Sequence, residues 1–178
     1  AFPTGAFAQS GGLESAWQWG VLSDRNSLTE FFQSHLAQVC HSAVPFLTAV
    51  HRNVEAIHSL DQQCDAFLSN HVANRASRAH GRGLLTAAEA AFRLDSYHRL
   101  RDEVRANRLA GHYSPLFGVI TTTLGIEINV VVRLFLHGVL RDLVSSSVRL
   151  NIIGPLAGQE LQFQFAPFLD ELADRHLG

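Results

Sequence analysis

Methionine is missing from all 178 positions, the first included, so the sequence is expected to lack its natural start, and helix registers would slip across any omitted positions. Cysteine occurs only twice, at Cys40 and Cys64. That spacing matches no zinc or redox motif, and the pair reads as buried free thiols rather than a disulfide, which points to a reducing compartment. There is no basic excess either: 14 basic against 16 acidic side chains give a net charge of −2. A broad positive field for nucleic acid or an anionic membrane is thereby excluded, and recognition has to be local. The opening Ala1-Phe2-Pro3-Thr4-Gly5 lacks the basic, apolar and small-residue order of an export signal, so a cytoplasmic location is expected. No apolar run reaches the ~20 residues of a membrane span. The longest stretch free of charge and histidine is Tyr113 to Ile126, and Glu127, Arg133 and His137 then interrupt it. Finally, there is no internal repeat, low-complexity tail or proline- and glycine-rich linker, so residues 1–178 are expected to form a single domain.

What the sequence does have is a 47% hydrophobic composition with one dominant apolar stretch, residues 111–150. Its Val, Ile, Thr and Phe content suits buried strands, yet from Ile126 the apolar residues continue for about 25 positions without a turn signal, too far for a strand. A buried helical hairpin fits better. Ser114 reads as an N-cap, Pro115 as the first helical position, and Gly125 as the end of a short helix before a longer one. The expected fold class is all-α, a single-domain helical bundle around that buried central hairpin.

Helix signals recur along the chain. Residues 1–14 combine Phe2, Phe7 and Leu13 with Pro3, Gly5, Gly11 and Gly12, a glycine-dependent loop pinned by aromatics ahead of a first helix. Ser27-Leu28-Thr29-Glu30 has the capping-box pattern, and Leu28, Phe31, Phe32, Leu36 and Val39 follow at helical spacing, which predicts a helix over 28–42. Pro45 opens another, 45–58, and Ser59 to Gln62 repeat the capping pattern for the helix after it. Short connections imply antiparallel neighbours. Residues 73–92, rich in Ala, Gly and Ser, allow close helix approach, with a kink expected near Gly81 and Gly83. Residues 97–107 read as a charged, solvated helix. After the break at Ile153-Gly154-Pro155, residues 159–175 read as a helix interrupted at Pro167.

Ten histidines invite a metal hypothesis. Glu55 with His58, and Asp95 with His98, each place a carboxylate and an imidazole at i, i+3, as di-iron bundles do; the remaining carboxylates such a site needs have only Glu30 as a candidate. Exposed histidines on amphipathic helices account for the same residues. Cys40-His41 cannot be a nucleophile and its base, because adjacent helical residues point about 100° apart. Gly81-Arg82-Gly83 lacks the strand and the lysine of a phosphate-cradling loop. Arg133, His137 and Arg141 form an i, i+4, i+8 stripe that requires an acidic counterpart, either in an internal network with Glu127, Asp142 or another helix, or on a partner.

Four ordered pieces carry a resemblance that spans nearly the whole chain: FPTGAFAQSGGLE at the opening, ASRAHGRGLL, GHYSPLFG at the hairpin start, and RLNIIGPLAGQELQ after it. Together they are similar to the UreF family of urease accessory proteins. The resemblance implies an all-helical cytoplasmic adaptor that tends to dimerise and joins the GTPase UreG and the scaffold UreD, called UreH in some species, in delivering nickel to apo-urease. It implies no catalytic residues, no cofactor and no metal ligands in this chain. On matching positions it implies partner contacts at Phe2, Pro3, Gly5, Gly12, Leu13 and Glu14 and at Gly111, His112 and Tyr113. Phe7 joins them as an aromatic anchor in the opening segment. A stand-alone di-metal enzyme built on Glu55/His58 and Asp95/His98 is the alternative.

Overall fold

Apolar residues four apart decide where helices form and which face they bury. In the computed structural model, which describes residues 11–177, Leu28, Phe32, Leu36 and Cys40 line the buried side of α2, Arg25–Ser42. Among the described residues there are nine α-helices and no strand; the all-α class follows, and the strand reading of residues 111–150 is set aside. By their contacts these residues divide into two compact units.

The first unit comprises residues 43–131. It contains α3 (Val44–Arg52), a 3-10 turn (Val54–Ala56), α4 (Ile57–Phe67), α5 (His71–Phe92), α6 (Asp95–Arg105), α7 (Tyr113–Thr123) and the first residues of α8 (Ile128–Arg149). α7 is buried almost all round, through Ser114, Pro115, Leu116, Gly118, Val119, Ile120 and Thr121, and packs against α3, α4 and α5. Its threonines survive in a helix because Thr121, Thr122 and Thr123 return their hydroxyls to carbonyls one turn back. Tyr97, fully buried on α6, donates its hydroxyl to the Ile120 carbonyl at 3.0 Å.

The second unit comprises α1 (Leu13–Gln18), α2, α8 from Val132 and α9 (Pro155–Leu177). Leu161, Phe165, Leu169, Leu172 and Ala173 form the buried stripe of α9, and the Phe165 ring meets Phe32 of α2 with centroids 5.8 Å apart.

Several expected boundaries are corrected. The box at the start of α2 lies one turn earlier: Asp24 accepts from the Ser27 amide at 2.8 Å, and Ser27 Oγ accepts from the Asp24 and Ser23 amides. The helix expected over 45–58 ends at Arg52, where Asn53 is extended, and Ser59 bonds back to Ala56 inside α4 instead of capping it. The cap of α7 is His112, not Ser114, whose hydroxyl instead makes a very short bond to the Ala43 carbonyl. Gly125 does terminate α7, at φ +69. α5 runs as one helix through Gly81 and Gly83, and α9 continues through Pro167, which lies on the exposed face.

Candidate interaction site

The site begins with a carboxylate. Asp61 occupies the buried face of α4 between Ile57 and Cys64 and is 1% exposed. It accepts three consecutive backbone N–H groups from the segment ahead of α7: Ala110 to Oδ2 at 2.6 Å, Gly111 to Oδ2 at 3.0 Å and His112 to Oδ1 at 2.8 Å. Successive amides converging on one anion form a nest, and here the chain supplies its own anion. The turn needs Gly111 at φ +80. It also needs Gly81, because a Cβ there would stand 2.2 Å from the Gly111 carbonyl oxygen and 2.9 Å from the Tyr113 nitrogen. Arg78 Nε completes the turn by donating to the Ala110 carbonyl at 3.2 Å.

His112 is wholly buried. Its Nε2 lies 2.9 Å from Asp65 Oδ1 and its Nδ1 3.0 Å from Ser77 Oγ. A carboxylate only accepts, so Nε2 carries the hydrogen; in the neutral ring Nδ1 then takes the Ser77 hydroxyl hydrogen, and the Ser77 oxygen is left to accept the Tyr113 amide at 3.3 Å. Hydrogen bonding from Asn74, and then from His112, holds the Asp65 carboxyl below its usual range. Asp, His and Ser in a line have the composition of a hydrolytic triad. With no exposed edge on the ring and a backbone amide on the serine oxygen, this one orders the loop instead.

Tyr113 is half-buried, stacked face to face on His80 with centroids 3.6 Å apart, and tilted against Phe117. Of the expected contact residues here, only Tyr113 therefore reaches the surface; Gly111 and His112 act behind it. In the opening segment, Gly12 is exposed at φ +90 and precedes α1, Leu13 is buried and Glu14 is exposed. Phe2, Pro3, Gly5 and Phe7 lie outside the described residues. Next to them in sequence, Trp17, Trp19 and Val21 are exposed, Trp19 by 84%. Sequence reasoning missed these three; the signal available was their place outside any repeating apolar stripe.

The carboxylate and histidine pairs do not assemble. Glu55 sits on the 3-10 turn while His58 opens α4 and meets Glu103 at 3.3 Å. His98 bonds to Glu89 at 2.9 Å and approaches Asp102 at 3.5 Å, so its ring nitrogens are taken up by carboxylates other than Asp95. Among the described residues, no three or more His, Cys, Asp or Glu side chains gather as for a metal ion. The stripe on α8 finds its acids within the second unit: Arg133 pairs with Asp170 at 2.9 Å and Asp174 at 2.5 Å, and Arg141 with its neighbour Asp142, while His137 is exposed. Both cysteines are free and buried, and burial pushes their thiols up, Cys40 to about 11 and Cys64 to about 12.

The UreF family model matches residues 22–166. The urease accessory protein F of Oryza sativa subsp. indica is 32% identical over 177 residues, covering 97% of this chain and 68% of that protein. The Arabidopsis thaliana protein of the same name is 31% identical over 168 residues, covering 92% and 70%. The urease accessory protein UreF of Trichodesmium erythraeum is 28% identical over 177 residues, covering 95% and 75%.

Proposed function

Because the chain belongs to the UreF family of urease accessory proteins, we propose that it is a non-enzymatic adaptor in urease maturation. It holds a UreG-type GTPase and the UreD/UreH scaffold against apo-urease for nickel insertion, as a homodimer in the cytoplasm. The observation that carries this reading is the family match over residues 22–166. Three features support it: a net charge of −2, which leaves specificity to local contacts; exposed aromatic side chains at Trp17 and Trp19; and the absence, among the described residues, of a helix long and apolar enough to cross a membrane.

Exposure supports a division of roles among the expected contact residues that are described. Glu14 and Tyr113 meet partners directly, with Trp19 five positions after Glu14, while Leu13, Gly111 and His112 set the backbone behind them; Gly12 and the opening Phe2, Pro3, Gly5 and Phe7 complete the set. Co-purification of the intact chain with the GTPase and the scaffold, with and without nucleotide, tests the reading, and failure to bind either under every condition would remove it. Tyr113→Ala and Trp19→Ala should each weaken partner binding by about 2 kcal/mol, roughly thirtyfold, with the chain still folded. Unchanged affinity in both would show that these side chains are not contacts.

A further inference from the structure

Two histidines distant in sequence meet within the second unit. His41 lies in the last turn of α2 and His176 in the last turn of α9. α2 and α9 pack on each other, and the two rings stand edge-on with centroids 5.0 Å apart and planes at 62°. His176 Nδ1 lies 2.9 Å from the Leu172 carbonyl oxygen. A carbonyl only accepts, so Nδ1 carries the hydrogen and the neutral ring keeps a lone pair on Nε2. A bond of this kind is what commonly fixes the tautomer of a metal-binding imidazole. His41 is exposed, and no hydrogen bond occupies its nitrogens among the described residues.

The spacing has a chemical meaning. Two imidazoles that hold one ion through bonds of about 2.1 Å, meeting at roughly 90–110°, have ring centroids on the order of 5 Å apart. The electrostatics agree: both rings sit at helix C-termini, where unsatisfied carbonyls carry partial negative charge and favour a cation. We propose that His41 and His176 form a two-imidazole site for a borderline divalent transition-metal ion, such as zinc, with water in the remaining positions. Nitrogen donors select this class over calcium or magnesium, which take oxygen. With two protein ligands the ion exchanges readily, unlike one held in a closed structural cage. Cys40 does not supply a third ligand, since it is fully buried on the core side of α2. The site is independent of the adaptor reading, and either can fail without the other.

Zinc chloride titrated into the tag-free chain, by calorimetry and by NMR of the histidine side chains, decides the matter. The expected result is one zinc per chain, with substoichiometric zinc shifting the ring signals of His41 and His176 alone among the ten histidines. His41→Ala and His176→Ala should each weaken binding at least tenfold, while His137→Ala, which removes an exposed imidazole of α8, leaves it unchanged. The ring signals are read on the unaltered chain, so a variant that folds poorly does not obscure the answer. Unmoved His41 and His176 signals at saturating zinc would overturn the proposal and leave ring packing alone as the reason for the contact. Equal affinity in the double variant, or one zinc per two chains, would overturn it as well.

Discussion

Asp61 is the residue on which the approach to α7 depends. Asp61→Ala strands three consecutive amides, those of Gly111 and His112 buried and that of Ala110 part-buried, and a buried donor costs about 1–3 kcal/mol when unsatisfied, so the variant should lose about 3 kcal/mol or more, measured as a lower urea midpoint at unchanged slope. Asp65 supplies a pH dependence whose sign is fixed. Its folded carboxyl titrates below the unfolded one, so its contribution is fully present above about pH 4 and is lost as pH falls through the lowered folded value. The side chain is 44% exposed and therefore screened, so the effect is small. Asp65→Asn should make the loss of stability with falling pH less steep below about pH 4, measured by denaturant titration over that range. Neither role was legible beforehand. The spacing Ile57, Asp61, Cys64 does put a carboxylate on an apolar helix face, which is a signal of a buried polar partner, but the partner lies 49 to 51 positions away and is backbone, which carries no side-chain signature. His112 and Gly111 are marked by the family resemblance alone, since their burial is created by α4 and α5, which come from other parts of the chain.

Among the helices, glycine substitutions separate close approach from empty space. Gly81→Ala should destabilise by about 1–3 kcal/mol despite alanine's better helix propensity, because the new Cβ meets backbone at 2.2 Å that cannot swing aside. Gly138→Ala in α8 meets nothing within 4 Å and should stabilise by up to about 1 kcal/mol. Thermal denaturation of the pair tests both signs. The long helices were readable because their apolar residues recur every three or four positions over many turns, as Leu161, Phe165, Leus 169 and 172 show. Their ends were less so. At α2, Asp24 and Ser27 offer a cap as good as Ser27 and Glu30, and the choice depends on where Leu28 must point to be buried. In α9, Pro167 was expected to break the helix, but it falls on the exposed face while the buried stripe keeps its register on either side, and packing outweighs the lost bond.

For the molecule as a whole, the expectation that residues 1–178 form one domain predicts a single calorimetric transition whose measured and van't Hoff enthalpies agree; two resolved transitions would assign separate stabilities to residues 43–131 and to the remainder. The fold class is open to reading from periodicity, whereas the proposed partner surface is only faintly marked, because near-zero net charge leaves no electrostatic outline and the exposed Trp17, Trp19 and Val21 are distinguished only by standing outside any repeating apolar stripe. The grip of Asp61 also bears on motion. A loop's amides ordinarily exchange hydrogen with solvent through small local fluctuations, and a helix interior's only through larger openings. The amides of Ala110, Gly111 and His112 belong to no helix, yet to meet water they must leave a carboxylate that is itself buried in α4. In deuterium exchange they should fall in the slow class with the interior of α7, so that rigidity sets in ahead of the helix that the segment leads into.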